Sequence, residues 1–130
     1  MARAKIADAD GIPAVLAVRG GATDRPTRAL AVRFTLQLLA ERAEGNTVEV
    51  RVPPFGATQC IPGPRHTRGT PPNVVEMDAD TWLELADGRL DFAEALAAAR
   101  ISASGTRASL EGVLPVVPAA ILRAAPDEGQ

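Results

Sequence analysis

One stretch of the sequence, CIPGPRHTRGTPP at residues 60–72, holds the residue types best suited to chemistry. It places Cys60, the only cysteine, six residues before His66, the only histidine, with Arg65 and Arg68 on either side of that histidine. A histidine can lower the pKa of a cysteine thiol and accept its proton, so this pair could support nucleophilic catalysis. The local pattern supplies neither an orienting group nor an oxyanion site. We therefore expect no catalytic residues and no enzymatic activity of the chain's own.

The same stretch could instead bind an anion. Its four prolines restrict the backbone, which lowers the entropy lost when nearby side chains are held in place. Two guanidiniums and an imidazole could grip a carboxylate or phosphate, and a further arginine on the preceding strand could join them. The candidate anion-binding residues are therefore Arg51, Arg65, His66 and Arg68. The alternative, which stays open, is that these arginines pair with acidic residues of the same chain.

The composition argues against several classes of protein. Four aromatic residues and a net charge of −2 suit neither the stacking platform nor the basic surface of a nucleic-acid binder. No apolar run approaches the roughly 20 residues of a membrane span, and early acidic residues interrupt any signal-peptide core. One cysteine and one histidine fall short of the three or four ligands that zinc needs. We expect a soluble cytoplasmic protein with no metal, no cofactor, no nucleic-acid partner and no integral membrane association.

The length of 130 residues and the lack of an inter-domain linker predict a single domain over residues 1–130. Helices are expected at residues 10–19, with Asp10 as N-cap, at residues 27–43 and at residues 107–114. Two more helices are expected to follow the candidate N-caps Asp80 and Asp91. The tail, residues 118–130, is expected to form a helical turn or two. Strands are expected at residues 47–52, 55–61, 73–77 and 100–105, where apolar and polar residues alternate. This order predicts an α/β (α+β) fold with a mixed or antiparallel sheet of about four to five strands and helices on one face.

The stretch WLELADGRLDFAEALAAARISASGTRASLEGVL resembles the C-terminal half of the sterol-carrier-protein family. The matching positions are Trp82, Leu85 and Gly88 in a turn, Phe92 and Leu96 in a helix, Ile101, Ala103 and Gly105 in a strand, and Leu110 and Leu114 in a last helix. The likeness covers about residues 27–117, and TVEVRVPPFGATQCI looks like the strand of small bacterial relatives. Two features depart from the family: Ala99 stands where a glycine is often found, and the middle loop is unusually rich in proline and arginine.

The resemblance implies a curved sheet and helices that enclose an apolar cavity for a lipid or acyl chain. The candidate lining residues are Phe34, Leu38, Trp82, Phe92, Leu96, Ile101, Leu110 and Leu114. Each could equally be ordinary core. Trp82 in particular could be a buried staple against the sheet, with its indole N–H bonded to a carbonyl.

Together these features predict a binding or carrier protein for a sterol, fatty acid, acyl chain or other apolar molecule. The ligand could carry an anionic end held by the arginine-rich loop. Two alternatives stay open. The chain could be an enzyme or enzyme accessory domain that handles an anionic small molecule through Arg65, His66 and Arg68. It could also be a structural subunit whose apolar face docks on a protein partner.

Overall fold

A computed structural model describes residues 4–63 and 73–124 of the chain. Within these ranges the chain forms five helices and four strands. The helices are α1 (Asp8–Arg19), α2 (Arg25–Arg42), α3 (Ala79–Ala86), α4 (Phe92–Ala97) and α5 (Ala119–Ala124). The strands are β1 (Val48–Val52), β2 (Gly56–Cys60), β3 (Asn73–Met77) and β4 (Ile101–Ser104).

The four strands form one open mixed sheet in the order β2-β1-β3-β4. Strand β1 pairs antiparallel with β2 and parallel with β3, and β3 pairs antiparallel with β4. Along β1, Val48, Val50 and Val52 are fully buried while the residues between them are partly exposed. Because successive strand residues point to opposite faces, one face of β1 packs in the core and the other turns outward. The mixed sheet with its helices confirms the predicted fold class.

A hydrogen bond between α2 and α3 lies at the centre of the core. Trp82 is fully buried, and its indole N–H donates to the Thr35 hydroxyl at 2.8 Å. The Thr35 hydroxyl in turn donates to the Ala31 carbonyl, one turn earlier in α2, at 2.7 Å. The indole partner is thus a helix side chain and not the carbonyl expected from the sequence. This bond satisfies a buried donor and fixes how α3 packs on α2.

Two helix starts differ from the sequence-based prediction. Helix α3 is capped by Asp78, whose carboxylate accepts the Thr81 N–H at 2.8 Å, so Asp80 lies in the first turn instead of at the cap. The bond from the Thr81 backbone holds the pKa of Asp78 below its usual range. Helix α1 begins at Asp8, ahead of Asp10, and has no side-chain cap.

Helix α4 begins and ends with well-formed caps. As predicted, its N-cap is Asp91, which forms a capping box with Glu94. It ends with Ala99 at a φ of 59°, where the Ala99 N–H bonds to the Leu96 carbonyl and the next N–H bonds to the Ala95 carbonyl. This pattern is a Schellman motif, whose left-handed position glycine fills most easily.

Residues 107–114 form a series of turns, and the helix predicted there is wrong. The Arg107 N–H donates to the Asn73 side chain at 2.9 Å, and Gly112 has a φ of 90°. The spacing of the leucines favoured a helix, but Leu110 is fully buried in the core and the backbone bonds to tertiary partners instead. The tail does form the short helix expected after residue 118, as α5.

Candidate functional site

An open groove lies between the α3–α4 turn and the turns at residues 110–115. Its cavity volume is about 270 Å³. Its apolar lining residues are Leu85, Leu90, Phe92, Leu110, Leu114 and Pro115. Leu85, Phe92 and Leu110 form a buried floor, and the exposed apolar surface comes from Leu90, Leu114 and Pro115. The groove is therefore a predominantly apolar surface that is open to solvent.

Local backbone structure shapes this groove. Gly88 ends α3 with a φ of 87°, and a Cβ there would lie 3.6 Å from the Pro115 ring. The chain then turns into α4 at the Asp91 cap, so that α3 and α4 form one wall. The opposite wall is anchored where the Val116 N–H donates to the Ala86 carbonyl, at the end of α3, at 2.9 Å. Both walls are thus held by main-chain bonds.

Three of the eight candidate lining residues come together in this groove: Phe92, Leu110 and Leu114. Four others belong to the core and do not line it: Phe34, Trp82 and Ile101, which are buried, and Leu38, which is partly buried. Leu96 also lies outside the groove, 45 % exposed on α4. Leu90 and Pro115 also line the groove and are not among the residues predicted from the sequence. The only local signals were the turn at Gly88, close to Leu90, and the position of Pro115 directly before the buried Val116.

The charged lining residues of the groove are both acidic: Asp91 and Glu111. One Asp91 oxygen accepts the Glu94 N–H at 2.7 Å, as part of the α4 cap. The neighbouring Arg89 does not line the groove, because its guanidinium binds the buried Asp87 carboxylate at 2.8 Å. The rim of the groove therefore carries negative charge.

The candidate anion-binding residues are only partly within the described ranges. Arg51 lies on the outward face of β1, where its guanidinium donates to the Glu49 carboxylate at 2.8 and 3.0 Å. Its neighbour across the sheet on β3 is Glu76. Arg51 therefore shows the internal pairing that the sequence left open as an alternative. Arg65, His66 and Arg68 lie outside the described residues, so their role as an anion clamp stays a prediction.

Cys60 is fully buried at the end of β2. Burial raises the pKa of its thiol to about 11, because a thiolate is poorly solvated in an apolar environment. At neutral pH the side chain is a thiol, and the thiolate is the reactive form. The surroundings of Cys60 are those of a structural core residue.

A second cleft, of about 360 Å³, lies between the N-terminal segment, α2 and the start of β2. Its lining includes Arg33, whose Nε donates to the Phe55 carbonyl at 3.0 Å. Gln37 holds the N-terminal wall in place by exchanging two hydrogen bonds of 2.9 Å with the Ile6 backbone. Unlike the groove, this cleft has an arginine and no carboxylate among those of its lining residues that the structure describes.

In residues 4–63 and 73–124, no helix is both long and apolar enough to cross a bilayer. The same residues contain no cluster of three potential metal ligands.

An open mixed sheet with packed helices defines a small α/β domain with an adjacent apolar groove. In comparison with known families, residues 24–116 match the family described as bacterial SCP ortholog. This match covers well over half of the chain, so the chain belongs to the sterol-carrier-protein-like family, as the resemblance indicated. Comparison with curated proteins finds no match.

Proposed function

We propose that the protein binds and carries a hydrophobic small molecule, such as a lipid or acyl chain, in the groove between the α3–α4 turn and residues 110–115. One observation carries the proposal: every lining residue of this apolar groove falls within the segment that matches the sterol-carrier family. An apolar concavity with a few polar groups at its edge is the usual form of a small-molecule site.

The size of the groove limits how much of a ligand it holds. Pockets that enclose drug-sized ligands measure roughly 300–1,000 Å³, whereas this groove measures about 270 Å³. In the present shape it accommodates part of an apolar chain and leaves the polar end of the ligand at the rim. At Gly112 the wall borders open space, since a Cβ there would meet nothing within 4 Å.

Catalysis by the Cys60 thiol has less support than the carrier role, whereas the alternative that acts through Arg65, His66 and Arg68 lies outside the described residues. Nucleophilic catalysis by Cys60 requires access to substrate and a thiolate, and the buried Cys60 thiol with its raised pKa offers neither. Sterol-carrier-like domains generally act as carriers, which agrees with this picture.

A pair of matched substitutions on α4 tests the groove. Ala93 lines the groove, whereas Ala97 is exposed on the same helix and does not line it. Ala93→Trp should place an indole in the ligand space and weaken binding of 1-decanol by about tenfold or more, because a filled cavity must be emptied or deformed to admit a ligand. Ala97→Trp makes the same chemical change and should alter the affinity by less than about twofold.

Binding is measured by titrating 1-decanol into methyl-labelled protein and following the leucine methyl NMR signals. If both tryptophan variants are folded and bind 1-decanol with equal affinity, then 1-decanol binds outside the groove. Native mass spectrometry of protein purified from its producing cells gives a second test. A retained apolar small molecule supports the carrier role, and a stoichiometric protein partner favours the structural-subunit alternative.

A further inference from the structure

The charge at the groove rim bears on the kind of ligand it accepts. Asp91 and Glu111 are the charged groups among the lining residues. The Asp91 carboxylate uses one oxygen for the α4 cap, and a carboxylate has further acceptor sites on its two oxygens. Among the described residues, neither carboxylate forms an ion pair. Both negative charges can therefore act on a ligand at the rim.

Three arginines in this part of the fold contact other groups and do not line the groove. Arg89 binds the Asp87 carboxylate, and Arg100 binds Glu84 at 3.2 Å. Arg42 donates from α2 to the Val113 carbonyl at 2.9 Å and is not part of the lining. In the part of the chain that the structure describes, no arginine or lysine lines the groove to offset its two carboxylates.

We infer that the groove selects amphiphiles whose polar end is uncharged or cationic and disfavours those that end in a carboxylate; this inference rests on the proposed function. With the apolar tail in the groove, the polar end of the ligand lies near Asp91 and Glu111. A cationic end is attracted to these side chains and a carboxylate is repelled. The cleft that contains Arg33 has a cation among its described lining residues and serves as a comparison surface in the test.

The test compares three probes with the same ten-carbon tail: decylamine, 1-decanol and decanoate. Titrations of the full chain at pH 7 and low salt, below micelle formation, are followed by the methyl signals of Leu90, Leu110 and Leu114. We expect decylamine to bind the groove about tenfold more tightly than decanoate, with 1-decanol between them. The ammonium group of decylamine is weakly attracted to the two surface carboxylates, whereas the carboxylate of decanoate is repelled by them. Added salt should reduce this difference because both charges are at the surface.

Two double variants test whether the two rim carboxylates cause the preference for decylamine over decanoate. Asp91→Asn with Glu111→Gln removes both rim charges and keeps an acceptor at the α4 cap, so the amine-to-carboxylate ratio should fall to about twofold or less. Asp8→Asn with Glu44→Gln makes the same change in net charge at exposed positions outside the groove and should leave the ratio unchanged.

The outcomes separate this inference from the proposed function. Equal binding of all three probes in the groove, or tighter binding of decanoate, overturns the inference and leaves the proposed function standing. No groove methyl shift with any probe overturns both. If decanoate shifts only the Ile6 and Leu36 methyls of the cleft that contains Arg33 while decylamine shifts those of the groove, the inference is supported.

Discussion

The stability of the protein should fall above pH 9 because of one buried thiol. Burial raises the pKa of Cys60 from 9.0 to about 11 in the folded chain. In the unfolded chain the thiol is solvated and ionises near its ordinary pKa. Between these two values the unfolded state is favoured because it alone releases the proton. The stability that depends on the neutral thiol is therefore intact below pH 9 and is lost as the pH rises to about 11.

The size of the effect follows from the difference between the two pKa values. Two pKa units at 1.36 kcal/mol each give about 3 kcal/mol, with roughly half of it lost by pH 10. That is a large share of the 5–15 kcal/mol that typically stabilises a domain. The composition makes the effect unusually easy to isolate, because the chain has no tyrosine and Lys5 is its only lysine. Few other side chains titrate between pH 9 and 11.

The assay is urea unfolding at pH 8, 9, 10 and 11 under reducing conditions, for the wild-type protein and Cys60→Ala. The wild type should lose about 2 kcal/mol across this range, because the last part of the loss occurs only above pH 11. Cys60→Ala starts from a lower free energy of unfolding, because it leaves a small cavity, but should lose at most about 1 kcal/mol over the same range. Parallel pH profiles for the two proteins would refute this reasoning about Cys60.

Two further substitutions test the packing of the helices. Thr35→Val leaves the Trp82 indole N–H buried without its acceptor and should cost about 1–3 kcal/mol in urea unfolding. The fluorescence of Trp82, the sole tryptophan, should shift in Thr35→Val and not in Thr35→Ser, which keeps the hydroxyl. If Thr35→Val is as stable as the wild type, the hydrogen bond between Trp82 and Thr35 contributes nothing to stability. Ala99→Gly should raise the free energy of unfolding by up to about 1 kcal/mol by relieving a left-handed alanine. Ala98→Gly, at a position where φ is −85°, should lower the free energy of unfolding. A loss of stability in Ala99→Gly would contradict the left-handed conformation of Ala99.

The sequence predicted the elements whose pattern is local. Alternation of valines marked β1, and a long apolar face marked α2, because burial on one side leaves a period of two or 3.6 residues in the sequence. The Asp91 cap was also visible, since capping depends on residues only three positions apart. In contrast, the turns at residues 107–114 depend on bonds to Asn73 and other distant partners, which no local pattern records.

The groove could be predicted only in part for the same reason. Phe34 and Phe92 are both aromatic residues on helices, and both are nearly fully buried. Phe92 lines the groove because α4 forms one of its walls, whereas Phe34 on α2 packs against Gly11 of α1 inside the core. Which apolar side chains face a cavity depends on how separate segments meet. The family resemblance supplied Phe92, Leu110 and Leu114, while periodicity alone would have left them as core.

The most direct test of the carrier role is a map of intermolecular NOEs between 1-decanol and the methyl-labelled protein. The proposed function predicts NOEs from the decanol chain to Leu90 and Leu114, which line the groove and are partly exposed, and none to the core Leu39. It also predicts that Ala93→Trp removes these NOEs and Ala97→Trp retains them. Saturable binding of decanol with NOEs only to other parts of the protein would contradict the assignment of this groove as the ligand site.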